Sequence, residues 1–306
     1  MKKVLSIDVG GTKISYCIVD SLGNVLSDIK KCSTPKNIEH LLALFKEIIA
    51  KFNSKVDCVA FATAGAINLE NTKVESSTPN LPLGYNQIDF STLSEKPVFV
   101  ENDANAAAWA EYKIGVAKGH SNTIIVTLGT GIGGGIIIND ILLRGKSGRA
   151  AEIGSIKLFP DKRRKCTCNN YDCWESYASG TGLRLTAEEV ASKEEVFKTS
   201  FVSNKKPEEV TTYDIIEGVK RKDSYSMRVF GLWHDHLLSG LISLTNIFDP
   251  ESIVISGGMG EFISFKELEE QINNSIVVSP IQLLPAKMKN DAGMIGAALL
   301  ASQKFS

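Results

Sequence analysis

No apolar run in this 306-residue sequence approaches the roughly 20 residues that a helix needs to cross a bilayer, so no membrane span is expected. Neither sign of charge dominates, because 34 Lys and Arg residues are balanced by 35 Asp and Glu residues. That balance argues against a broad basic surface and so against a nucleic-acid-binding protein. The sequence also lacks a low-complexity segment, a flexible linker and a signal peptide. These absences predict a cytoplasmic globular protein.

Histidine is scarce, and the six cysteines fall into two groups. The scattered group is Cys17, Cys32 and Cys58, and the clustered group, with the pattern C-x-C-x₄-C, is Cys166, Cys168 and Cys173. In a cytosolic chain such a cluster is more typical of a metal site than of disulfides. Three thiolates at this spacing can converge on one Zn²⁺, which takes four ligands in structural sites. None of the four histidines lies near the cluster in sequence, and His234 and His236 are expected on a helix surface.

The pattern of apolar residues predicts a mixed α/β fold. Residues 3–30 form three predicted strands joined by tight turns, and residues 37–52 form a helix with apolar residues at helical spacing. Strands are also predicted near 56–65 and 97–103, and helices end near Pro250 and begin after Asp291 as N-cap. Residues 122–145 repeat the opening pattern of strand, glycine turn, strand, polar turn and strand. We interpret the repeat as a duplicated fold unit.

The turn DVGGTK at residues 8–13 has residue types that suit a polyphosphate. Gly10 and Gly11 permit positive φ angles and close approach, so that backbone N–H groups can point at phosphate oxygens. Thr12 adds a hydroxyl donor, and Lys13 adds charge or faces solvent. Asp8 at the strand end can hold a phosphate-bound Mg²⁺ through water. On these residues alone, a plain hairpin with a glycine turn is an equally good interpretation.

The second glycine turn, GTGIGG at residues 129–134, matches the dinucleotide fingerprint G-x-G-x-x-G, which needs a helix directly after the glycines. The residues that follow are β-branched and broken by a turn, so we predict a hairpin and reject that interpretation. Arg144 to Ser147 resemble the end of a Walker A motif, but Asp140 stands where that motif needs glycine. Two glycine hairpins in a duplicated module are instead typical of the actin-like ATPases, which clasp a triphosphate between them.

Asp103 follows a predicted strand and begins a predicted helix within the motif END at residues 101–103. A kinase that acts on an alcohol needs a carboxylate near the attacking hydroxyl to accept its proton. A helix N-terminus stabilises such an anion. The alternative for Asp103 is an ordinary helix N-cap.

Five motifs carry a resemblance to a known family: DVGGTK, ENDANAAAWAE, GTGIGGGI, AEIG and CTCNNYDCWE. In this order and spacing they resemble the ROK family, which contains bacterial glucokinases and N-acetylmannosamine kinases, over essentially the whole chain. The resemblance implies a two-lobe α/β fold of the actin-like ATPase (ribonuclease H-like) type, with a cleft between the lobes. We expect a small lobe of residues 1–115 and 291–306, a large lobe of residues 116–290, and a homodimer.

The resemblance also implies roles for single residues. Asp103 is the general base, Asn102 binds sugar hydroxyls and Glu101 is structural. The other implied sugar-binding residues are Gly65, Asn80, Glu152 and Glu175. The implied ATP-binding residues are Asp8, Gly10, Gly11, Thr12 and Lys13 in the first turn, Gly129, Thr130, Gly131 and Gly133 in the second, and Gly257 and Gly258 beside the adenosine.

Ser155 is the main departure from the family pattern. The family has a histidine there, which serves as the fourth zinc ligand and helps to bind the sugar. Serine is a poor zinc ligand. Three interpretations of Cys166, Cys168 and Cys173 therefore stay open: another group completes the Zn²⁺ site, water completes it, or the site is empty.

The function implied by the resemblance is an ATP- and Mg²⁺-dependent hexose kinase that transfers the γ-phosphate to a 6-hydroxyl, with glucose favoured. N-acetylmannosamine is the main alternative substrate, and fructose and allose stay open because the shape of the pocket decides among them. Ser155 also keeps open a catalytically weak sugar-binding or sensor protein. A DNA-binding regulator is not expected, because such family members carry a helix-turn-helix domain before the first glycine motif, and here that motif lies close to Met1.

Overall fold

A computed structural model describes residues 1–76, 80–288 and 291–306. Its strands are β1 (Lys3–Val9), β2 (Lys13–Asp20), β3 (Lys30–Ser33), β4 (Cys58–Thr63), β5 (Ala66–Ile67), β6 (Val74–Ser76), β7 (Val98–Asn102), β8 (Thr123–Leu128), β9 (Ile132–Ile138), β10 (Ile141–Leu142), β11 (Ser252–Ser256) and β12 (Gln282–Pro285). Its α-helices are α1 (Ile38–Phe52), α2 (Asp103–Ile114), α3 (Glu175–Ala178), α4 (Gly180–Lys193), α5 (Thr212–Lys220), α6 (Ser224–Phe248), α7 (Phe265–Asn273) and α8 (Ala292–Lys304). No helix in these ranges is long and apolar enough to cross a membrane.

Both five-stranded sheets have the same topology. The first has the order β3-β2-β1-β4-β7 and the second β10-β9-β8-β11-β12, so each reads 3-2-1-4-5 when its strands are counted along the chain. In the first sheet β2 pairs antiparallel with β1 and β3, whereas β4 pairs parallel with β1 and β7. The repeated order confirms the predicted α/β fold with a duplicated unit.

The core of the first sheet follows from the alternation of side chains along its strands. All residues of the central strand β4 are buried, as expected for a parallel strand covered on both faces. Leu5 and Ile7 of β1 join the apolar core formed with α1, where Phe45 packs edge-on against Phe61 at 5.2 Å between ring centroids. Ser6 points to the other face and donates from Oγ to Met294 O of α8 at 2.6 Å. Helix α8 is thereby attached to β1.

The chain divides into two compact units. The first comprises residues 1–125, 135–151 and 286–306, and the second comprises residues 126–134 and 152–285. This division groups residues 116–125 and 135–151 with the first unit, whereas the lobes expected from the sequence place them in the second. The lobe boundary near residue 115 stays a prediction.

Three sequence-based expectations need correction. The third predicted strand is shorter than expected and is present only as β3. Before β3, the Ile18 N–H donates to Ser27 Oγ at 2.9 Å, so a side chain takes the place of a backbone strand partner. The helix predicted to end near Pro250 is α6, and it begins as far back as Ser224 because the Asp223 side chain caps it by accepting the Ser226 N–H. Asp291 occupies the cap position of α8, but among the described residues its side chain makes no capping hydrogen bond.

Helices α2 and α8 pack closely because small residues face each other. A Cβ built on Gly296 of α8 would lie 1.6 Å from Ala106 O of α2, so only glycine fits without separating the helices. By contrast, a Cβ on Gly231 of α6 meets nothing within 4 Å. These two helical glycines form a matched pair.

We predict that Gly296→Ala lowers the free energy of unfolding by about 1–3 kcal/mol or more, because it overpacks the contact between α2 and α8. Gly231→Ala should raise it by up to about 1 kcal/mol, since alanine favours an exposed helix interior over glycine. Urea unfolding followed by circular dichroism measures both changes. Equal effects of the two substitutions would contradict the packing argument.

Candidate active site

The first glycine turn joins β1 to β2, and the protein occupies three of its successive carbonyls. Thr34 donates from Oγ1 to Gly10 O at 2.6 Å and from its N–H to Thr12 O at 3.0 Å. Lys36 Nζ donates to Gly11 O at 2.9 Å. The Gly10 N–H donates to Lys13 O at 3.0 Å, so the N–H groups of Gly11 and Thr12 are the polar backbone groups that this turn can offer to an anion.

Asn80 lies against this turn. A Cβ built on Gly11 would approach the Asn80 Cβ to 2.7 Å, so the close approach requires glycine at position 11. Asn80 itself is exposed. The structure therefore brings a predicted sugar-binding residue next to the predicted phosphate turn.

The register of the first sheet places the ends of three strands in one row. Val9 of β1 pairs with Thr63 of β4, and Thr63 pairs with Asn102 of β7. The carboxyl ends of parallel strands meet at one sheet edge, which is where ligands bind in open α/β sheets. Asp8 and Asp103 both lie at this edge.

Asp8 is a half-buried carboxylate near the end of β1. Burial raises the pKa of Asp8 to about 7, the negative charge of Asp103 adds to the rise, and Lys13 opposes it. A Cβ built on Gly293 of α8 would lie 3.7 Å from Asp8 Oδ1, so this end of the helix leaves little space beside the carboxylate. A nearby cation stabilises the ionised form of a carboxylate in this environment. Asp8 is therefore a suitable ligand for a hard cation such as Mg²⁺.

Asn102, and not Asp103, is the N-cap of α2. The Asn102 Oδ1 accepts the N–H groups of Ala104 at 3.0 Å and Asn105 at 3.1 Å, and its Nδ2 donates to Gly65 O at 3.1 Å. The alternative of an ordinary cap therefore fails for Asp103. The predicted sugar-binding residues Gly65 and Asn102 are in contact.

Asp103 is the first residue of α2 and is exposed as a residue, although protein atoms surround its carboxylate. Its Oδ1 accepts the Ala104 N–H at 2.8 Å. Desolvation by the surrounding protein raises the pKa of Asp103, and the hydrogen bond from Ala104 opposes the rise. A raised pKa in an accessible carboxylate is the property that a general base needs near neutral pH.

The second glycine turn joins β8 to β9, and three successive carbonyls are occupied there as well. Gly129 donates its N–H to Gly131 O at 3.0 Å, Gly180 donates to Gly129 O at 2.8 Å, and Thr181 donates to Thr130 O at 3.3 Å. Two of these donors come from the start of α4, and the third is Gly129 of the turn itself. Because the N–H groups of Gly129, Ile132 and Gly133 donate to protein acceptors, the N–H groups of Thr130 and Gly131 are the ones that this turn can offer to an anion.

Glu175 begins α3 and binds the second turn directly. Its Oε2 accepts the Ile132 N–H at 2.9 Å, and its Oε1 accepts the Thr167 hydroxyl at 2.9 Å. A Cβ on Gly131 would lie 2.4 Å from Glu175 Oε2, so glycine at 131 permits this contact. Glu175 was predicted to bind sugar, and in the structure both its oxygens hold neighbouring protein groups.

Among the other predicted residues of the second unit, Gly133 and Gly257 both contact β8, the strand that precedes this turn. The N–H of Gly133 donates to Thr127 Oγ1 at 3.1 Å. Gly257 ends β11 with φ +96°, and a Cβ there would lie 2.4 Å from Leu128 O, so both backbone conformation and space demand glycine. Gly258, which follows it, is exposed. Glu152 is exposed as well and precedes a short 3₁₀ turn, Ile153–Ser155.

The three clustered cysteines have the geometry of a partial zinc site. Their sulfurs all lie within 4.8 Å of one another, and the Cys168–Cys173 Sγ distance is 3.6 Å. Tetrahedral coordination with Zn–S bonds of about 2.3 Å gives an S–S distance of about 3.8 Å, so the thiols fit three of the four positions. Burial and the neighbouring thiols raise the pKa of Cys173 to about 12, whereas hydrogen bonds outweigh desolvation and lower the pKa of Cys168.

The predicted residues divide between the two units. The first unit contains Asp8, Gly10, Gly11, Thr12, Lys13, Gly65, Asn80, Asn102 and Asp103. The second contains Gly129, Thr130, Gly131, Gly133, Glu152, Glu175, Gly257, Gly258 and the three cysteines. Within each unit, a glycine turn lies beside at least one residue that was predicted to bind sugar.

Thr34 and Lys36 are the residues of the site that sequence reasoning missed. Neither belongs to a motif, and both follow β3 along the chain. Only the antiparallel pairing of β2 with β3 returns the chain to the first turn. The single available signal is a threonine and a lysine placed shortly after the third strand.

The chain is similar to known proteins over almost its full length. Residues 4–304 match the model of the ROK family. A glucokinase from Streptomyces coelicolor is 33% identical, and the match covers 99% of this chain and 98% of that protein. An N-acetylmannosamine kinase from Yersinia pestis is 30% identical, with 98% of this chain and 99% of that protein covered.

A solved structure agrees with the sequence comparisons. The crystal structure of a ROK family glucokinase from Streptomyces griseus in complex with glucose and AMPPNP superimposes with a TM-score of 0.76. The two chains are 32% identical, and the match covers 98% of this chain and 99% of that chain. Both the sequence and the fold are therefore similar over almost the full length.

We predict a pH dependence of stability that comes from Asp8. The folded state holds this proton more tightly than the unfolded state, so the free energy of unfolding falls as the pH rises from about 4 to about 7. With a pKa raised from 3.8 to about 7, the fall relative to Asp8→Asn is at most about 4 kcal/mol. Urea unfolding in EDTA at pH 5 and pH 8 measures the difference.

Asp89→Asn is the matched control for this measurement. Hydrogen bonds from Ser91 and Lys73 lower the pKa of Asp89, so its removal should weaken the protein above pH 4 instead of stabilising it. If Asp8→Asn were no more stable than wild type at pH 8, the raised pKa of Asp8 would be refuted.

We predict that the cysteine cluster binds one Zn²⁺ per chain. Elemental analysis after dialysis against ZnCl₂ and then buffer should find about one equivalent in wild type and in the Cys32→Ser control. Cys173→Ser should lose the metal because it removes a buried ligand. Equal zinc content in wild type and Cys173→Ser would overturn this prediction.

Proposed function

Because the chain belongs to the ROK family, we propose that it is an ATP-dependent hexose kinase of the glucokinase type. It transfers the γ-phosphate of ATP to the 6-hydroxyl of a hexose. The observation that carries the proposal is the pair of carboxylates, Asp8 and Asp103, at one sheet edge beside the first glycine turn. The full-length similarity to glucokinases, one of them solved with glucose and AMPPNP, supports it.

Asp103 acts as the general base in this proposal. Its accessible carboxylate accepts the proton of the primary hydroxyl as the hydroxyl oxygen attacks the γ-phosphorus. The raised pKa of Asp103 brings it closer to the working pH, which favours proton transfer. The N-terminus of α2 stabilises the carboxylate before transfer.

Asp8 and the glycine turns serve the nucleotide. Asp8 would hold a Mg²⁺ ion, directly or through water, and the ion would neutralise charge on the phosphates. The N–H groups of the first turn contact phosphate oxygens, with Thr12 and Lys13 as further donors. The second unit contributes Gly129, Thr130, Gly131 and Gly133 to the phosphates, and Gly257 and Gly258 to the adenosine.

The sugar contacts are proposed to come from Asn80, Asn102, Glu152 and Glu175. The Asn102 Nδ2 has a second hydrogen besides the one that it donates to Gly65 O. Asn80 and Glu152 are exposed and able to bind hydroxyl groups. Glu175 supports the second turn, and its Oε2, which accepts the Ile132 N–H, retains a lone pair for a sugar hydroxyl.

Two features of the proposal concern metal and assembly. Zn²⁺ bound by Cys166, Cys168 and Cys173 would order the loop that carries Thr167, which donates to Glu175. The chain is proposed to form a homodimer and to work in the cytoplasm. Light scattering of the purified protein tests the dimer.

N-acetylmannosamine is the second candidate substrate, because an N-acetylmannosamine kinase is 30% identical over the full length. A kinetic screen with glucose, N-acetylmannosamine, fructose and allose decides between the candidates. The highest kcat/KM with glucose is expected. A protein that hydrolyses no ATP with any of these sugars would be a sugar-binding protein instead of a kinase.

We predict that Asp103→Asn lowers kcat at least about 100-fold, because general-base catalysis typically contributes that much or more. The fold should persist, since the replaced residue is exposed. A coupled assay of ADP release measures kcat, and circular dichroism checks the fold. Asp89→Asn, a surface change of the same kind in the first unit, should keep the wild-type rate. A near-normal kcat in Asp103→Asn would remove Asp103 from the mechanism.

A further inference from the structure

Glu101 is a fully buried carboxylate immediately before the catalytic motif residues. Only 1% of its surface is exposed, and a buried charge is tolerated only when it is paired and hydrogen-bonded. Its Oε2 accepts Arg144 Nη2 at 2.6 Å. Its Oε1 accepts the Asn102 N–H at 3.0 Å and Asn105 Nδ2 at 3.1 Å.

The two contacts of Oε1 lie on either side of Asp103. The Asn102 N–H belongs to the last residue of β7, and Asn105 lies in the first turn of α2. One carboxylate oxygen thus holds the end of the strand and the start of the helix together. The position of Asp103 relative to the sheet depends on this contact.

Arg144 orients that carboxylate from outside the motif. It follows β10, and Leu143 beside it donates its N–H to Ile136 O at 2.8 Å, which fixes this segment to β9. The guanidinium also lies over the Phe99 ring, 5.9 Å from its centroid. Because its side chain is one-quarter exposed, at 25%, Arg144 stays partly solvated while it pairs with a buried partner.

Asn71 completes the arrangement on the Oε2 side. It adopts a left-handed conformation, with φ 62°. Its Nδ2 donates to Val100 O at 2.9 Å and, more weakly, to Glu101 Oε2 at 3.4 Å. The Val100 N–H in turn donates to Asn71 O at 2.8 Å. Both oxygens of Glu101 are therefore held in place.

We propose that Arg144 is a positioning residue for the general base: through Glu101 it holds the β7–α2 junction at which Asp103 reaches the sugar hydroxyl. The inference rests on the proposed function. A displacement of about 1 Å at the reacting groups can lower the rate about 100-fold without abolishing binding. Loss of Arg144 therefore lowers kcat and leaves substrate affinity nearly unchanged.

Arg144→Met tests the inference in the full-length protein. We expect kcat to fall at least 10-fold, while KM for the hexose and for ATP changes less than threefold. Arg144→Lys keeps the positive charge and should recover most of kcat. Arg221→Met, which breaks the exposed pair of Arg221 with Glu217, should match wild type.

A core variant separates positioning from general stabilisation. Phe45→Leu disturbs the apolar core under α1 and has no contact with Glu101, so it provides a loss of stability without a change at the junction. Assays at a temperature where each variant is folded should show normal kcat in Phe45→Leu and low kcat in Arg144→Met. Normal kcat in both would reduce the ion pair to a stabilising contact and overturn the inference.

Hydrogen–deuterium exchange gives a readout that does not depend on activity. In Arg144→Met, the peptide that covers residues 98–108 should exchange at least 10-fold faster than in wild type, while the peptide that covers α1 is unchanged. If wild type phosphorylates no sugar, the proposed function fails, and exchange still decides whether Arg144 fixes the junction. Unchanged exchange in residues 98–108 would refute the inference.

Discussion

Burial of the Asp8 carboxylate, close to the negative charge of Asp103, is the constraint on which the candidate site of the first unit depends. Each lies at the carboxyl edge of the parallel strands, where Val9, Thr63 and Asn102 stand in one row. Burial and the neighbouring negative charge raise the pKa of Asp8 to about 7. An ionised Asp8 without a nearby cation lowers the stability of the fold. The arrangement therefore favours a ligand that brings a cation, as proposed for Mg²⁺.

The two carboxylates differ in their surroundings, and this difference separates their roles. Asp8 is half-buried, with Gly293 of α8 beside it, so it suits a cation held in place. Asp103 is open to solvent and hydrogen-bonded by one backbone N–H, so it can reach and accept a proton from a substrate hydroxyl. In the proposed function, the same residue type thus serves as a cation site in one place and as a base in the other.

Local sequence signals predict the parts of the site that depend on backbone conformation. The glycines of both turns, the strand before Asp103 and the cysteine spacing are visible because each is set by a few adjacent residues. The roles of Thr34, Lys36 and Arg144 were not predicted, because strand pairing and the fold bring them to partners that are distant along the chain, such as Gly10 for Thr34 and Glu101 for Arg144. The residues around Arg144 resemble a Walker A motif only superficially. The importance of Arg144 lies instead in its ion pair with the buried Glu101.

In the two duplicated turns, different donors occupy the same three backbone carbonyls. Counted from the strand ends, Gly10, Gly11 and Thr12 correspond to Gly129, Thr130 and Gly131, and the carbonyls of all six residues accept hydrogen bonds from the protein. The donors are Thr34 and Lys36 in one turn, and Gly129 itself and the start of α4 in the other. What both copies preserve is the occupation of the carbonyls, because an exposed carbonyl would repel phosphate oxygens. The surface that such a turn presents therefore depends on the donors behind it as well as on its glycines.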